Sequence, residues 1–326
     1  MFTGLNRLDA GMFSNCVNLG SVKFPKSIVT VYGEAMFNCS KCTFVLDLPN
    51  LINMVGNNSF RNSGIAEIMN LGKVTKIGDS FVFANCAKLT KAVLPETLEK
   101  IPNYTFQNCS ALSEINLPKS ITSIGDYAFH SVPANNKLDL PNLTNVGSNA
   151  FVNTGFVGVN DLGSVISLPM RAFAGSSISY FNSLEDITSL GNGAFANCAN
   201  FTQDINLPNL TNIGDQVFMG SGTVRVLNLG TTITELKYYT FLDCPNLEYI
   251  ELPSTITKIG DWAVGRCYKL TVCILHSNEP PQIASTTFSG SLSCIFYVPD
   301  AAVSNYKAAT NWSEYASRIK GISELP

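Results

Sequence analysis

An aromatic or large apolar residue returns on a nearly fixed beat along this chain. It falls at Phe13, Met36, Phe60, Phe83, Phe106, Phe129, Phe151, Phe173, Phe195, Phe218, Phe241, Val264 and Phe288, at intervals of 22–24 residues. A second landmark, Leu followed by Pro or Gly, keeps time with it at Leu48-Pro49, Leu71-Gly72, Leu94-Pro95, Leu117-Pro118, Leu140-Pro141, Leu162-Gly163 and Leu252-Pro253. One such unit encloses too little volume to bury its own Leu, Ile and Phe. Stacked units turn each apolar position into a continuous column, and stability then lies in nearest-neighbour interfaces. This constraint outranks length. A chain of 326 residues ordinarily suggests two domains, but a stack of rungs grows without a second core.

The unit has a physical reading. In Leu112-Ser113-Glu114-Ile115-Asn116-Leu117, Ile115 and Leu117 fall on one side and Glu114 and Asn116 on the other, which predicts a short strand with one buried face. Pro118 ends it, because proline has no N–H to give to a ladder. A second apolar run, Ile121-Thr122-Ser123-Ile124, returns across the back of the coil. Gly125 supplies a turn, and Asp126 is expected to cap one helical or 3-10 turn through Ala128-Phe129, with Asp79, Asp215 and Asp261 in the same place. With strands roughly 4.8 Å apart, about 13 rungs predict a coil on the order of 60 Å long.

Two variants of the rung alternate. After Asn-Cys the next apolar residue comes three positions on (Cys86 to Leu89, Cys109 to Leu112, Cys244 to Leu247, Cys267 to Leu270). Where Ser or Thr replaces Cys, a Gly or Ser follows: Ser63-Gly64, Thr154-Gly155, Ser176-Ser177, Ser221-Gly222. In three of these four rungs the apolar residue then comes two positions on, at Ile65, Phe156 and Ile178. This is read as a turn that closes one residue early.

At the N-terminus, Leu5 and Leu8 match Ile121 and Ile124, so residues 1–13 read as the second half of a rung and imply a longer parent chain. Met1-Phe2-Thr3-Gly4 lacks the basic and apolar regions of a signal peptide. After Val298-Pro299 the pattern changes. Asp300 to Ala309 predicts a short helix, and Asn311 or Ser313 is expected to cap another whose Trp312, Tyr315, Ala316 and Ile319 lid the last rung.

Ile256-Thr257-Lys258-Ile259-Gly260-Asp261 and Ala194-Phe195-Ala196-Asn197-Cys198 resemble the BspA-like class of leucine-rich repeats, over residues 1 to about 299. The segment Tyr297-Val298-Pro299-Asp300 through Trp312-Ser313-Glu314-Tyr315 resembles the closing segment of many such bacterial proteins. The expected fold is therefore α/β: a leucine-rich-repeat right-handed solenoid, strand-rich with short helical or 3-10 turns. It occupies residues 1–299, with a C-terminal helical capping segment at 300–326. The resemblance implies a secreted or surface-anchored protein that binds host matrix proteins or other bacteria.

Chemistry is sparse. The net charge of −3 argues against a nucleic-acid partner, which needs a basic stripe, and no apolar run is long enough to insert in a membrane. Seven of the ten cysteines (Cys16, Cys39, Cys86, Cys109, Cys198, Cys244, Cys267) share one repeat position and are read as small buried residues, although adjacent rungs leave a bridge geometrically open. Cys39-Ser40-Lys41-Cys42 has redox spacing but no second pair. The column Asn15, Asn38, Asn62, Asn85, Asn108, Asn153 and Asn197 is read as amides satisfying backbone groups. His130 and His276 are the only histidines, without recognisable triad partners. No catalytic residue, metal or cofactor is expected.

The outward face of the strand is the candidate binding surface. One column includes Asp47, Asn70, Asn116, Asp139, Asp161, Asn206, Asn228, Glu251 and Ile274, polar and mildly acidic through its middle. The parallel column includes Val45, Ile68, Lys91, Glu114, Val159, Phe181, Asp204, Val226, Tyr249 and Val272. Phe181, Val226, Tyr249, Val272 and Ile274 are expected to gather on a concave face as a contact patch. Strand propensity alone explains the same residues equally well. The expected protein is a non-catalytic adhesion or protein-binding solenoid with a host or bacterial surface protein or glycan as partner. The alternative is a structural spacer presenting another domain of a longer chain.

Overall fold

Most rungs fold their apolar runs into short strands, and like strands of successive rungs pair in parallel over stretches of two to six strands. The computed structural model describes residues 4–326, so Met1–Thr3 of the expected half-rung lie outside the described residues. Two units divide the chain, Met1–Val165 and Ile166–Pro326, each a parallel β-solenoid.

In the first unit, the strands leading into Leu-Pro or Leu-Gly form one ladder: Phe44–Asp47, Ile65–Asn70, Lys91–Ala92 and Glu114–Ile115, then separately Leu138–Asp139 with Val159–Asp161. The Ile-Gly runs form the other ladder, with Lys100–Ile101, Ser123–Ile124 and Asn145–Val146 in register. In the second unit the Leu-Pro ladder is a sheet of six strands: Ile205–Asn206, Arg225–Asn228, Tyr249–Leu252, Val272–Leu275, Ile295–Val298 and Ile319–Gly321.

The rhythmic Phe column is the core. In the first unit the rings of Phe60, Phe83, Phe106, Phe129 and Phe151 are buried and stacked, with centroids 5.4–5.6 Å apart. In the second, Phe195, Phe218 and Phe241 stack at 5.2–5.4 Å. Phe13 is half-exposed. The backbone follows the rings: Phe83 N–H donates to Thr105 O (2.9 Å) and Phe106 N–H to Ala128 O (2.8 Å), so each Phe is tied to the next rung.

The turn carrying these Phe residues is not helical. The Asn column sits in the left-handed region, with φ of 54–59° from Asn15 to Asn197, and a second left-handed residue lies four positions earlier, as at Tyr104 and Tyr127. Asn tolerates this conformation better than other side chains that carry a Cβ. The amides add a smaller effect by bonding one another between rungs: Asn38 Nδ2 to Asn15 Oδ1 at 2.9 Å, Asn108 Nδ2 to Asn85 Oδ1 at 3.0 Å. Nor does Asp126 cap its own rung. Its Oδ1 accepts the Ser148 N–H of the next one at 2.7 Å. Helical structure among the described residues is confined to 300–324.

The cysteine column has a specific role in these turns. The buried thiols of the column reach back to the Phe carbonyl of the preceding rung: Cys86 to Phe60 O (3.0 Å), Cys109 to Phe83 O (3.1 Å), Cys198 to Phe173 O (3.0 Å), Cys244 to Phe218 O (3.1 Å) and Cys267 to Phe241 O (3.1 Å). A weak donor small enough for the core thus serves a buried carbonyl. All ten cysteines are free thiols, and Cys16 alone is exposed. Burial pushes the thiols of Cys86 and Cys198 up to about 11.

Three of the four rungs with Ser or Thr in the cysteine place (Ser63, Thr154 and Ser221) lengthen again further on. Phe44 pairs with Ile65, twenty-one residues later, but Asp47 pairs with Asn70, twenty-three later. The register shifts twice in between, leaving Ala66 and Met69 as extra residues. Leu138/Asp139 against Val159/Asp161 and Ile205/Asn206 against Val226/Asn228 each show one such shift, with Asn160 and Leu227 as the extra residues. In these same rungs Leu is followed by Gly at positive φ (Gly72 62°, Gly163 59°, Gly230 75°).

Beyond Pro299, Asp300–Ala302 and Val303–Ala308 form a 3-10 and an α turn, and Trp312–Arg318 is 3-10 helix. Trp312 is buried, its ring edge-on to Phe296 at 5.4 Å, and its Nε1 donates to Pro281 O at 2.7 Å. Neither predicted cap forms there. Asn311 adopts φ 64° and its Nδ2 donates to Ile283 O. Ile319 belongs to a strand, paired with Phe296, rather than to a helix.

Candidate functional site

The compensating register shift re-sorts the predicted face. In the early-turn rungs the extra residue advances the strand, so the residue one place earlier faces out. Glu67 pairs with Lys91, which pairs with Glu114 across the next rung, whereas Ile68 is buried. Likewise Arg225 is exposed and Val226 buried. Phe181, expected outside, is buried, with its ring edge-on to Phe173, Phe195 and Phe201 at 5.3–6.0 Å. Ile274 is buried as well. The expected apolar patch of Phe181, Val226 and Ile274 is therefore core or covered surface. Tyr249 and Val272 stay half-exposed and pair with each other.

Most of the polar column is engaged in holding the rungs. The Oδ1 atoms of Asn70, Asp161 and Asn228 accept the N–H of Gly72, Gly163 and Gly230 at 2.7–2.9 Å, closing the turn after each shifted strand. Asn116 clasps the previous rung by both ends of its amide, accepting from Leu94 N–H (2.6 Å) and donating to Leu94 O (3.0 Å). Asp47 and Asp139 each face a lysine of the preceding rung, Lys26 and Lys119, at 3.2 Å. Such exposed pairs contribute little, about 0–1 kcal/mol, but they cancel much of the expected acidity. Asn206 is exposed beside its partner Asn228.

Glu251 differs from all of these. Among the described residues no lysine or arginine forms an ion pair with it. Its Oε2 accepts the Tyr249 hydroxyl at 2.8 Å, and its Oε1 lies 2.6 Å from His276 Nε2. Tyr249 and Glu251 are two apart on one strand and so share a face. His276 follows Leu275, as Pro253 follows Leu252, so the substitution of Pro by His places an imidazole one rung on. Burial first, then the carboxylate, push the Tyr249 phenol up to about 12, keeping it a donor. Beside this chain lies a hollow of about 300 Å³ lined by Asn228, Thr231, Glu251, Pro253, Ser254 and His276. A second hollow, on the other side of Ser254 and His276, includes Thr257, Asn278 and Glu279.

Sequence reasoning missed His276, since its partner lies 25 residues away and no linear motif joins them. Among the described residues no cluster of three His, Cys, Asp or Glu side chains is placed to hold a metal, and no helix is long and apolar enough to cross a membrane.

Two ladders of parallel strands, a buried ring column and variable outward positions define a leucine-rich solenoid whose outer strand face is its variable surface. The BspA type leucine rich repeat region matches residues 2–81, 79–202 and 166–295, and the chain belongs to that family. Among solved structures, a leucine-rich repeat protein from Bacteroides ovatus is similar at 20% identity and a TM-score of 0.61, over 98% of this chain and 88% of that one. A leucine rich cell surface protein from Faecalibacterium prausnitzii is similar at 20% identity and a TM-score of 0.51, over 98% and 87%. No curated protein matches the chain.

Proposed function

We propose that this chain is a non-catalytic recognition solenoid of the bacterial cell surface. In this reading residues 1–299, closed by 300–326, present the outer, concave face of the Leu-Pro ladder to a protein or glycan. The observation that carries the reading is the Tyr249–Glu251–His276 chain. There, among the described residues, Glu251 is held by a phenol hydroxyl and an imidazole beside a hollow, instead of being matched to a lysine or spent on a turn. A surface location is supported by family membership and by the similar F. prausnitzii protein, which is described as a cell surface protein.

A second reading has its own support. Six of the ten predicted face residues (Asp47, Asn70, Asn116, Asp139, Asp161, Asn228) are used between or within rungs, as a structural spacer requires. The two readings part in one experiment. The wild type, Tyr249→Phe and Glu251→Gln are tested on immobilised fibronectin, fibrinogen, collagen and a glycan array, with Asp47→Asn as control. Binding lost in the first two variants, with unchanged melting, supports recognition. Binding indifferent to both, or absent from the wild type, leaves the spacer.

A further inference from the structure

The cysteine position forms a column of side chains that touch from rung to rung. Where serine precedes cysteine in it, Ser63 Oγ lies 3.6 Å from Cys86 Sγ, Ser176 Oγ 3.6 Å from Cys198 Sγ and Ser221 Oγ 3.7 Å from Cys244 Sγ. One arrangement of the turn sets these distances. The backbone N–H of the earlier residue and the thiol of the later one meet on the same Phe carbonyl. Ser63 N–H and Cys86 Sγ both reach Phe60 O, at 3.1 and 3.0 Å.

Cys16 and Cys39 share this arrangement. Cys16 N–H donates to Phe13 O at 3.1 Å, and Cys39 Sγ reaches the same oxygen at 2.9 Å. Cys16 therefore stands over Cys39 as Ser63 stands over Cys86, and rotation about its χ1 brings the two sulfur atoms into contact. The backbone is already in place. Phe13 and Asn15 N–H are held to Ala35 O and Phe37 O at 2.9 and 2.8 Å. A rung spacing of about 4.8 Å falls within the Cα separations that a disulfide spans.

Cys86–Cys109 and Cys244–Cys267 also follow one another in the column, but in these pairs both partners are fully buried. A solvent-borne reagent has no thiol to meet there. At Cys16–Cys39 one thiol is exposed and its neighbour is covered. Burial raises the Cys39 thiol, so Cys16 is the sulfur that reacts first. Access, more than geometry, singles out this pair.

We propose that Cys16 and Cys39 form a redox clasp, a disulfide made by exchange with a low-molecular-weight disulfide such as oxidised glutathione. The Cys16 thiol gives its proton to water, and its thiolate attacks one sulfur of the glutathione disulfide, expelling one glutathione thiolate. Cys39 then loses its proton and attacks Cys16 Sγ, which breaks the mixed disulfide and releases the second glutathione thiolate. The two cysteines give up two electrons and two protons, and one glutathione disulfide becomes two glutathione molecules. The clasp ties the rung of Phe13 to that of Met36, and a dithiol reopens it. It lies on the turns, away from the outer strand face, so it stands or falls apart from recognition.

The test incubates the reduced full chain with oxidised glutathione under native conditions, followed by intact mass and peptide mapping. We expect the loss of two hydrogens, mapped to Cys16–Cys39 and reversed by dithiothreitol. Hydrogen exchange of the Phe13 and Asn15 amides should slow about tenfold on oxidation. Cys39→Ser should stop with glutathione attached to Cys16, and Cys16→Ser should not react. Both variants are expected to fold, since serine already occupies this position at Ser63, Ser176 and Ser221. Cys42→Ser should close the clasp as the wild type does. No reaction, glutathione retained on Cys16 in the wild type, a bridge to Cys42, a bridge between buried cysteines or a disulfide-linked pair of chains would each overturn the proposal.

Discussion

Truncating Phe106 to Ala tests the claim that the ring column holds the rungs together. The side chain is fully buried between Phe83 and Phe129, at 5.5 and 5.6 Å and nearly parallel to both. Phe→Ala in a core costs about 3–5 kcal/mol, in transfer energy and in the cavity left behind. Here the rungs cannot close over the cavity, because the Phe83 and Phe106 amides are bonded to the next rung at 2.9 and 2.8 Å. A value of about 4 kcal/mol is therefore expected. The control is Tyr104→Ala. Tyr104 stacks more closely than any core pair, at 4.2 Å from Phe81 and 5.0 Å from Tyr127, but it is half-exposed. Its loss is expected to cost about 1 kcal/mol, the order of one aromatic pair. Urea unfolding followed by far-UV circular dichroism gives both values, and hydrogen exchange of the Phe83 and Phe106 amides reports where the stack parts. A fall in the denaturant slope for Phe106→Ala would mean that the rungs on either side unfold separately, as nearest-neighbour coupling allows. Equal costs for the two variants would refute the argument, since contact geometry and not burial would then set the stability.

Three further outcomes follow from the turns. In the native state a thiol reagent should modify Cys16 alone, with the buried thiols reacting only as urea unfolds the chain; native labelling of more than one cysteine by intact mass would contradict their burial. Alkali should weaken the fold. Cys86 and Cys198 are raised from 9.0 to about 11, so the folded state holds their protons more tightly; that contribution is complete below about pH 9 and disappears as pH rises through about 11. Urea midpoints measured across this window should fall less in the Cys86→Ser, Cys198→Ser double variant than in the wild type. At Asn85, with φ of 57°, replacement by Ala should cost about 1–2 kcal/mol and replacement by Gly distinctly less; equal losses of melting temperature in the two variants would show that the amide ladder, which both remove, and not the backbone selects asparagine.

How much was legible follows from what periodicity encodes. The Phe beat and the Leu-Pro beat are columns, and columns survive in sequence because like must meet like; the stacked rings from Phe60 to Phe151 are where spacing places them. Spacing could not phase the outer face. The second outward column was aligned by counting back from Leu, which is right for Tyr249 and wrong for Phe181, Val226 and Ile68. The signal was present in Leu71-Gly72, Leu162-Gly163 and Leu229-Gly230, where Gly takes the place of Pro in rungs that also carry the early turn. Joining the two requires knowing that the chain is lengthened where it was shortened. The left-handed turns were read as helical because Asp126 has a capping side chain, and nothing in one rung shows that its acceptor serves the next. Six of the ten candidate face residues turned out to have structural partners one rung or two residues away. His276, which sequence reasoning set aside, turned out to meet Glu251.

The paired shortening and lengthening within one rung has an evolutionary corollary. Because the spacing lost at the turn of Ser63-Gly64 is restored by the strand at Ala66 and Met69, the Leu and Phe columns never learn of the exchange. The restored residue points wherever the strand has room: Met69 is 44% exposed, Asn160 is open to solvent and Leu227 is half-covered. Each such rung thus carries a spare position, unconstrained by the periodic core, at which selection can try new side chains while the scaffold stays as it is.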